Sequence, residues 1–72
     1  MKNIEALIDD GGSIPIGALD DSECVAAAAD PHNTVAMLVR REGETIAALL
    51  KRLDKAIGTA LDSNLNIDEV NV

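Results

Sequence analysis

The chain has 72 residues, a net charge of −7 and no aromatic residue, and Cys24 is its only cysteine. A domain of this size buries only about 60% of its unfolded surface, and a single cysteine excludes an intramolecular disulfide, so we expect self-association to support the fold. A membrane span needs roughly 20 consecutive apolar residues, which this chain lacks, and a net acidic chain repels the phosphates of nucleic acid.

Charge is unevenly distributed along the sequence. Residues 1–33 and 62–72 are dominated by acids, whereas residues 34–61 contain more bases than acids. This acidity favours a basic protein as partner, although acidic side chains also serve simply to keep a small protein in solution. One thiol fits a reducing compartment, and the N-terminus has no long apolar run, so we expect one cytoplasmic domain over residues 1–72.

The N-terminal residues 1–13 are predicted to form a flexible acidic arm. Residues 3–8 fit either one helical turn or a short strand, and the sequence DDGGS that follows ends this piece with turn-forming residues. Next along the chain, Pro15 disfavours a helical conformation at Ile14 and removes a backbone donor. An extended segment is therefore predicted there.

Two interpretations are open for the alanine-rich segment that comes next. A capping-box pattern and four consecutive alanines favour a helix at 20–29, which would make the protein mostly α-helical. The sequence Asp30-Pro31-His32-Asn33, however, suits a type I turn between antiparallel strands. We favour a β-hairpin over about residues 23–40, because a strand at 35–39 would otherwise lack a local partner.

This hairpin has a predicted register and two apolar faces. The four-residue loop pairs Ala29 with Thr34, Ala27 with Ala36 and Val25 with Leu38. A sheet that is apolar on both faces needs two covers, one from its own helix and one from elsewhere. We expect a second copy of the chain to supply the other cover.

An amphipathic helix over about residues 45–62 is the clearest pattern in the sequence. Apolar residues recur there at intervals of three and four, and polar residues such as Arg52 and Asp54 mostly occupy the opposite side. Thr45 can cap its start, and Gly58 predicts a close backbone approach or a weak point. The residues predicted to form the core or the dimer contact are Val35, Met37, Val39, Leu49, Leu53 and Ile57.

The helix is predicted to stop at Asn64, and residues 64–72 form an acidic tail. This tail alternates weakly between apolar and polar residues, which fits either an edge strand or a disordered end. The predicted fold is therefore α+β, with a small antiparallel sheet of two or three strands followed by one long helix.

No catalytic constellation, complete metal-ligand set or phosphate-binding loop is present in the sequence, and we predict no enzymatic activity, no cofactor and no metal. His32 and Cys24 are the only soft metal ligands, whereas a structural zinc site needs four ligands. We expect His32 to be an exposed turn residue and Cys24 to be a small packing residue.

The best candidate for ligand binding is a pair of arginines between the hairpin and the helix. Arg40 and Arg41 sit where guanidinium groups and free backbone donors can hold an anion, and Lys51 is a third candidate cation. Alternatively, the arginines pair with nearby acids such as Glu42 and Glu44. The first interpretation predicts an oligomer that binds an anionic small ligand or nucleotide.

Gly43-Glu44-Thr45 leading into IAALLKRLDKAI, after a short hairpin, resembles the strand-to-helix part of HicB-type antitoxins. The resemblance implies a partial ribonuclease H fold that neutralises a small basic toxin. It covers well under half of the chain, and the aromatic strand residues and Pro-Gly-Cys segment of that group are absent, so no functional residue is carried over.

The leading functional hypothesis is a non-enzymatic, homo-oligomeric interaction protein that binds and neutralises or regulates a protein partner. Small size, acidity and the lack of catalytic groups support it. Antitoxins and inhibitors encoded by phages or mobile elements act in this way. Its expected partners are a second copy of the chain and a basic protein.

Overall fold

A computed structural model describes residues 1–18 and 24–70 and has an α+β fold. Its elements are helix α1 (Lys2–Asp9), strands β1 (Ile16–Ala18), β2 (Cys24–Ala29) and β3 (Thr34–Val39), helix α2 (Ile46–Ser63) and strand β4 (Ile67–Asp68). The strands form one sheet in the order β1-β2-β3-β4. The α+β class is confirmed, but the sheet has four strands and is mixed, because β4 pairs parallel to β3. Within the described part of the chain, neither helix has the length and apolarity of a membrane span.

The predicted hairpin is confirmed, and its register departs from the prediction by one residue. Ala29 pairs with Thr34 as expected, but Ala28 then pairs with Ala36, which leaves Val35 as an extra residue in β3. This β-bulge shifts every later pair, so that Val25 faces Val39 instead of Leu38. The helical alternative is wrong for residues 24–29, and residues 20–23 lie outside the described ranges.

Asp30 organises the loop of this hairpin through its side chain. Its carboxylate accepts hydrogen bonds from the backbone N–H of His32 at 2.8 Å and of Asn33 at 2.6 Å. These bonds, that of Asn33 first, lower the pKa of Asp30. An aspartate that bonds the backbone two and three residues further on stabilises a tight turn. His32 is exposed, as predicted.

The core lies between one face of the sheet and the two helices. Leu49, Leu53 and Ile57 of α2 are fully buried. They pack against small residues of the sheet. Among the described residues, the buried cluster is Leu7, Ala26, Ala28, Ala36, Leu38, Leu49, Leu53, Ala56 and Ile57. Alanines in the strands let the large side chains of α2 come close to the sheet, which gives a packed core without any aromatic residue.

Residues 2–9 form helix α1, which differs from the loosely held arm predicted over residues 1–13. Leu7 is buried in the core cluster. Met1, at the N-cap position of α1, gives no side-chain cap. Asp54 of α2 replaces it, because its carboxylate accepts from the backbone N–H groups of Asn3 and Ile4, both at 2.9 Å. The prediction that placed Asp54 on the far side of the helix is therefore wrong.

Gly58 of α2 lies close to Asn3 of α1. A Cβ atom added at Gly58 would lie 2.7 Å from the side-chain nitrogen of Asn3. That nitrogen also donates to the backbone oxygen of Asp54 at 3.1 Å. The sequence predicted a close backbone approach or a weak point at Gly58, whereas the structure places the side chain of Asn3 where a Cβ atom would lie.

The C-terminal tail contributes an edge strand. Helix α2 ends at Asn64, whose φ of 58° lies in the left-handed region. In β4, Ile67 pairs with Ala36 and Asp68 pairs with Met37 of β3. The backbone N–H of Glu69 then donates to the Met37 carbonyl at 2.8 Å. Of the two options left open for this segment, the structure has the edge strand for residues 67–68.

Candidate functional site

The two predicted arginines lie beside an open depression between the end of β3 and the start of α2. Its volume is about 500 Å³. The residues that line it are Cys24, Arg40, Arg41, Glu42, Gly43, Glu44 and Thr45. Lys51, the third predicted cation, is not among them. The structure therefore brings Arg40 and Arg41 together and leaves Lys51 apart.

Two hydrogen-bond donors around this depression, Arg40 Nε and the Arg41 backbone N–H, have protein partners. Arg40 Nε donates to the backbone oxygen of Glu44 at 2.7 Å, and the Arg41 backbone N–H donates to the Glu44 carboxylate at 3.0 Å. At the start of α2, Thr45 Oγ1 accepts from the N–H of Ala48 at 3.1 Å, as its capping role predicted. With two glutamates in the lining as well, this depression suits an anion poorly.

Arg52 is the arginine with the most partners, and the sequence analysis missed it. Its Nε and Nη2 bond the two Glu44 carboxylate oxygens at 2.7 and 2.9 Å, and Nη1 lies 3.2 Å from the Glu69 carboxylate. Nη2 also donates to the Val39 carbonyl at 2.9 Å. This forked pairing is the geometry that a guanidinium allows and an ammonium does not. We call Arg52, Glu44 and Glu69 the arginine clamp.

Electrostatics of the arginine clamp favour the charged forms. The hydrogen bond from Arg52 is the main reason that the pKa of Glu44 falls to about 2, and the Arg41 N–H adds to it. In turn, the bond to Glu44 raises the pKa of Arg52. Because the clamp joins the start of α2, the end of β3 and the segment after β4, its role is structural. A faint signal was present in the sequence, since the loop acid Glu44 precedes Arg52 by two helical turns.

The face of the sheet opposite the helices is apolar, and we call it the outer face. Ala27 pairs with Met37 and Val25 with Val39, and these residues alternate with the core residues of their strands. A groove of about 200 Å³ runs along this face, and its lining is Pro15, Ile16, Gly17, Ala18, Val25, Ala27 and Met37. Met37 and Val39, two of the residues predicted to contact a second copy, are only half-buried here. Val35 is buried, as are the three predicted helix residues.

Strand β1 forms an open edge beside this groove. Ser13 exchanges backbone hydrogen bonds with Ala29, at 2.8 and 3.0 Å, and the Pro15 carbonyl accepts from the N–H of Ala27 at 2.9 Å. Backbone groups alternate in direction along a strand, so those of Ile14 and Ile16 point away from β2. The side chain of Ile16 is 41% exposed. The edge is therefore polar in its backbone and apolar in its side chains.

The described residues do not meet the requirements of a metal site. Among residues 1–18 and 24–70, no three His, Cys, Asp or Glu side chains lie close enough together to hold a metal ion. Cys24 is half-buried and packs against the core cluster, in agreement with its predicted packing role. Searches of protein-family models, of curated proteins and of solved structures found no match to this chain.

Proposed function

We propose that this protein is a non-enzymatic, homo-oligomeric interaction protein that binds and neutralises or regulates a protein partner. The observation that carries the proposal is the one-sided arrangement of the fold. Leu7 of α1 and the apolar stripe of α2 belong to one core cluster on one side of the sheet. The outer face keeps an apolar groove, and β1 keeps an open edge beside it. An apolar groove beside an unpaired strand edge supports a role in protein interaction.

Charge indicates the chemistry of the partner. The chain has a net charge of −7 and a pI near 4.3. A protein this acidic attracts a basic surface over long range and repels an acidic one. We therefore propose a basic protein as the partner, which is how antitoxins and inhibitors encoded by mobile elements act. In this proposal the apolar outer face contacts the partner, and the acidic side chains attract it electrostatically over long range.

A second proposal, an oligomer that binds an anionic small ligand, draws on Arg40 and Arg41 alone. Arg40 already donates a hydrogen bond to the backbone oxygen of Glu44. Glu44, an acid, also lines the same depression. The two proposals are separated by a thermal shift assay with nucleotides and organic phosphates. If the protein binds an anion, a free concentration of that anion 100 times its dissociation constant raises the free energy of unfolding by about 2.7 kcal/mol. If the protein only binds a protein partner, these compounds leave its melting temperature unchanged.

The partner-binding proposal is tested by affinity capture from the source cells with two variants. Met37→Glu places a charge on the outer face, whereas Leu61→Glu changes a residue of α2 that is already 60% exposed. We expect the parent and Leu61→Glu to retain a basic protein that Met37→Glu loses, with circular dichroism showing that both variants fold. Capture of no basic protein, or equal capture by all three, would contradict the proposal.

A further inference from the structure

We infer that the free edge of β1 is a dimer seam, at which a second copy of the chain adds its own β1 in antiparallel orientation. The inference rests on the homo-oligomeric part of the proposed function and names the surface through which the copies meet. It would join the two four-stranded sheets into one sheet of eight strands. The outer-face residues of β2 and β3, such as Ala27 and Met37, are not part of this seam.

Direction of the backbone groups is the first observation behind the seam. Ser13 and Pro15 use their backbone atoms toward β2, as their bonds to Ala29 and Ala27 show. The proline nitrogen, which cannot donate, therefore faces the sheet interior and not the free edge. Proline commonly protects edge strands by removing outward donors. Here Pro15 leaves the outward N–H and C=O groups of Ile14 and Ile16 intact.

Charge along the edge is the second observation. The run from Gly11 to Leu19 contains no Asp, Glu, Lys or Arg, in a chain with a net charge of −7. Edge strands that stay single usually carry charged side chains, a bulge or an outward proline. Two acidic copies can approach along this neutral run without placing like charges opposite each other. A basic partner, by contrast, finds no carboxylate on this strand to pair with.

Symmetry selects the register. An antiparallel pair of identical strands about a two-fold axis is self-complementary, because each donor of one copy meets an acceptor of the other. The N–H of Gly12 is already donated to the Leu7 carbonyl at 2.9 Å, which ends the free edge on that side. A register centred on Ile16 uses the remaining span. Ile16 then lies opposite the partner's Ile16, and Ile14 lies opposite the partner's Ala18.

Side chains at the seam are apolar and partly exposed to solvent. Ile16 pairs with Ala26 of β2 and also lines the groove of the outer face. It is 41% exposed. Two isoleucines opposite each other across a strand pair cover one another, which removes apolar surface from water in both copies.

The first experiment measures mass by light scattering over a dilution series, with a refractive-index detector because the chain has no Trp or Tyr. We expect the parent to have twice the 7.5 kDa chain mass. Ile16→Lys places two like charges at the seam and should raise the dimer dissociation constant about tenfold or more. Leu61→Lys is the matched control, since it changes an exposed apolar residue of α2 to the same cation and should leave the mass unchanged.

The second experiment reads the register directly and uses a Cys24→Ser background. Paired residues of antiparallel strands have Cα atoms about 5.5 Å apart, which is within the range of a disulfide. Oxidation with copper phenanthroline and dissolved oxygen should therefore cross-link Ile16→Cys into a covalent dimer, whereas Leu61→Cys should stay monomeric.

Failure of the seam is distinguishable from failure of the proposed function. A parent dimer that Ile16→Lys does not weaken and Ile16→Cys does not cross-link would overturn the seam and leave the oligomeric proposal standing. A parent that is monomeric throughout would overturn both the seam and the oligomer, and capture of a basic protein by that monomer would retain the partner-binding part alone.

Discussion

At one edge of the sheet, β1 is neutral, its side chains are exposed, and its outward backbone groups belong to Ile14 and Ile16. At the other edge, β4 has only two residues and is followed by Glu69, which the arginine clamp holds. The Glu69 carboxylate accepts from the Val39 N–H at 3.0 Å. The β1 edge is thus open to another strand. The β4 edge is short and charged, and Glu69 connects it to Val39 and Arg52.

This difference shows how a small sheet can direct self-association. Natural sheets protect their edges with short strands and charged residues, because an open edge is a template for pairing. With β4 protected, the pairing that we infer at β1 would close at a dimer and would not continue into a fibre. The contrast between the edges therefore carries more information about assembly than either edge alone.

The largest effect is expected from a substitution in the core, which supports both edges of the sheet. Leu53 is fully buried beneath the sheet, so Leu53→Ala should lower the free energy of unfolding by about 2–5 kcal/mol. Chemical denaturation followed by circular dichroism measures this change. The control is Leu61→Ala, at a residue that is 60% exposed, for which we expect a change within about 0.5 kcal/mol. Equal losses in both variants would contradict the described core.

A smaller effect is expected where α1 leads toward β1. A Cβ atom at Gly12 would lie 2.6 Å from the Ala29 carbonyl oxygen and 2.8 Å from the carbonyl oxygen of Leu7. Backbone atoms cannot move aside as a flexible side chain can, so Gly12→Ala should destabilise the protein by about 1–3 kcal/mol. Urea denaturation tests this expectation. A variant as stable as the parent would show that Gly12 is not packed between Leu7 and Ala29 as described.

The arginine clamp provides a local test of the β4 edge. Arg52→Gln removes the fork to Glu44 and Glu69, and Lys51→Gln removes one charge from the neighbouring exposed residue. We expect Arg52→Gln to speed hydrogen exchange of the Glu69 amide, which donates to Met37, about tenfold or more, and Lys51→Gln to leave it unchanged. Equal exchange rates of the Glu69 amide in the two variants would show that the arginine clamp does not stabilise the β4 edge.

The smallest expected effect is a loss of the clamp in acid. The folded pKa of Glu44, about 2, lies below its ordinary value of 4.5. A depressed carboxylate pKa stabilises the folded state above the ordinary value, and that contribution disappears as the pH falls from about 4.5 to about 2. The stability difference between the parent and Glu44→Gln should therefore shrink across this window. A difference that stays constant with pH would contradict the pairing with Arg52.

Local patterns were sufficient to predict the hairpin and the long helix. The loop Asp30–Asn33 and the apolar stripe of α2 are each encoded within a few turns of sequence, and both elements appear close to the predicted bounds. The one-residue register error came from Val35, because a bulge changes pairing without changing the alternation that a sequence displays.

Features that depend on distant residues could not be predicted in the same way. Helix α1 has no N-cap side chain of its own and depends on Asp54, and the arginine clamp joins residues 44, 52 and 69. A helical wheel shows both Arg52 and Asp54 as polar and assigns them to solvent. Only the positions of α1 and β4 reveal that these side chains have protein partners.

The cap that Asp54 provides also has a consequence for the order of folding. Its carboxylate accepts hydrogen bonds from Asn3 and Ile4, which precede it in the chain by 51 and 50 positions. An isolated helix as short as the eight residues of α1 is unstable in water, so α1 gains its support only after α2 has formed. Helix α1 is therefore synthesised before α2 but becomes ordered only after α2 has formed.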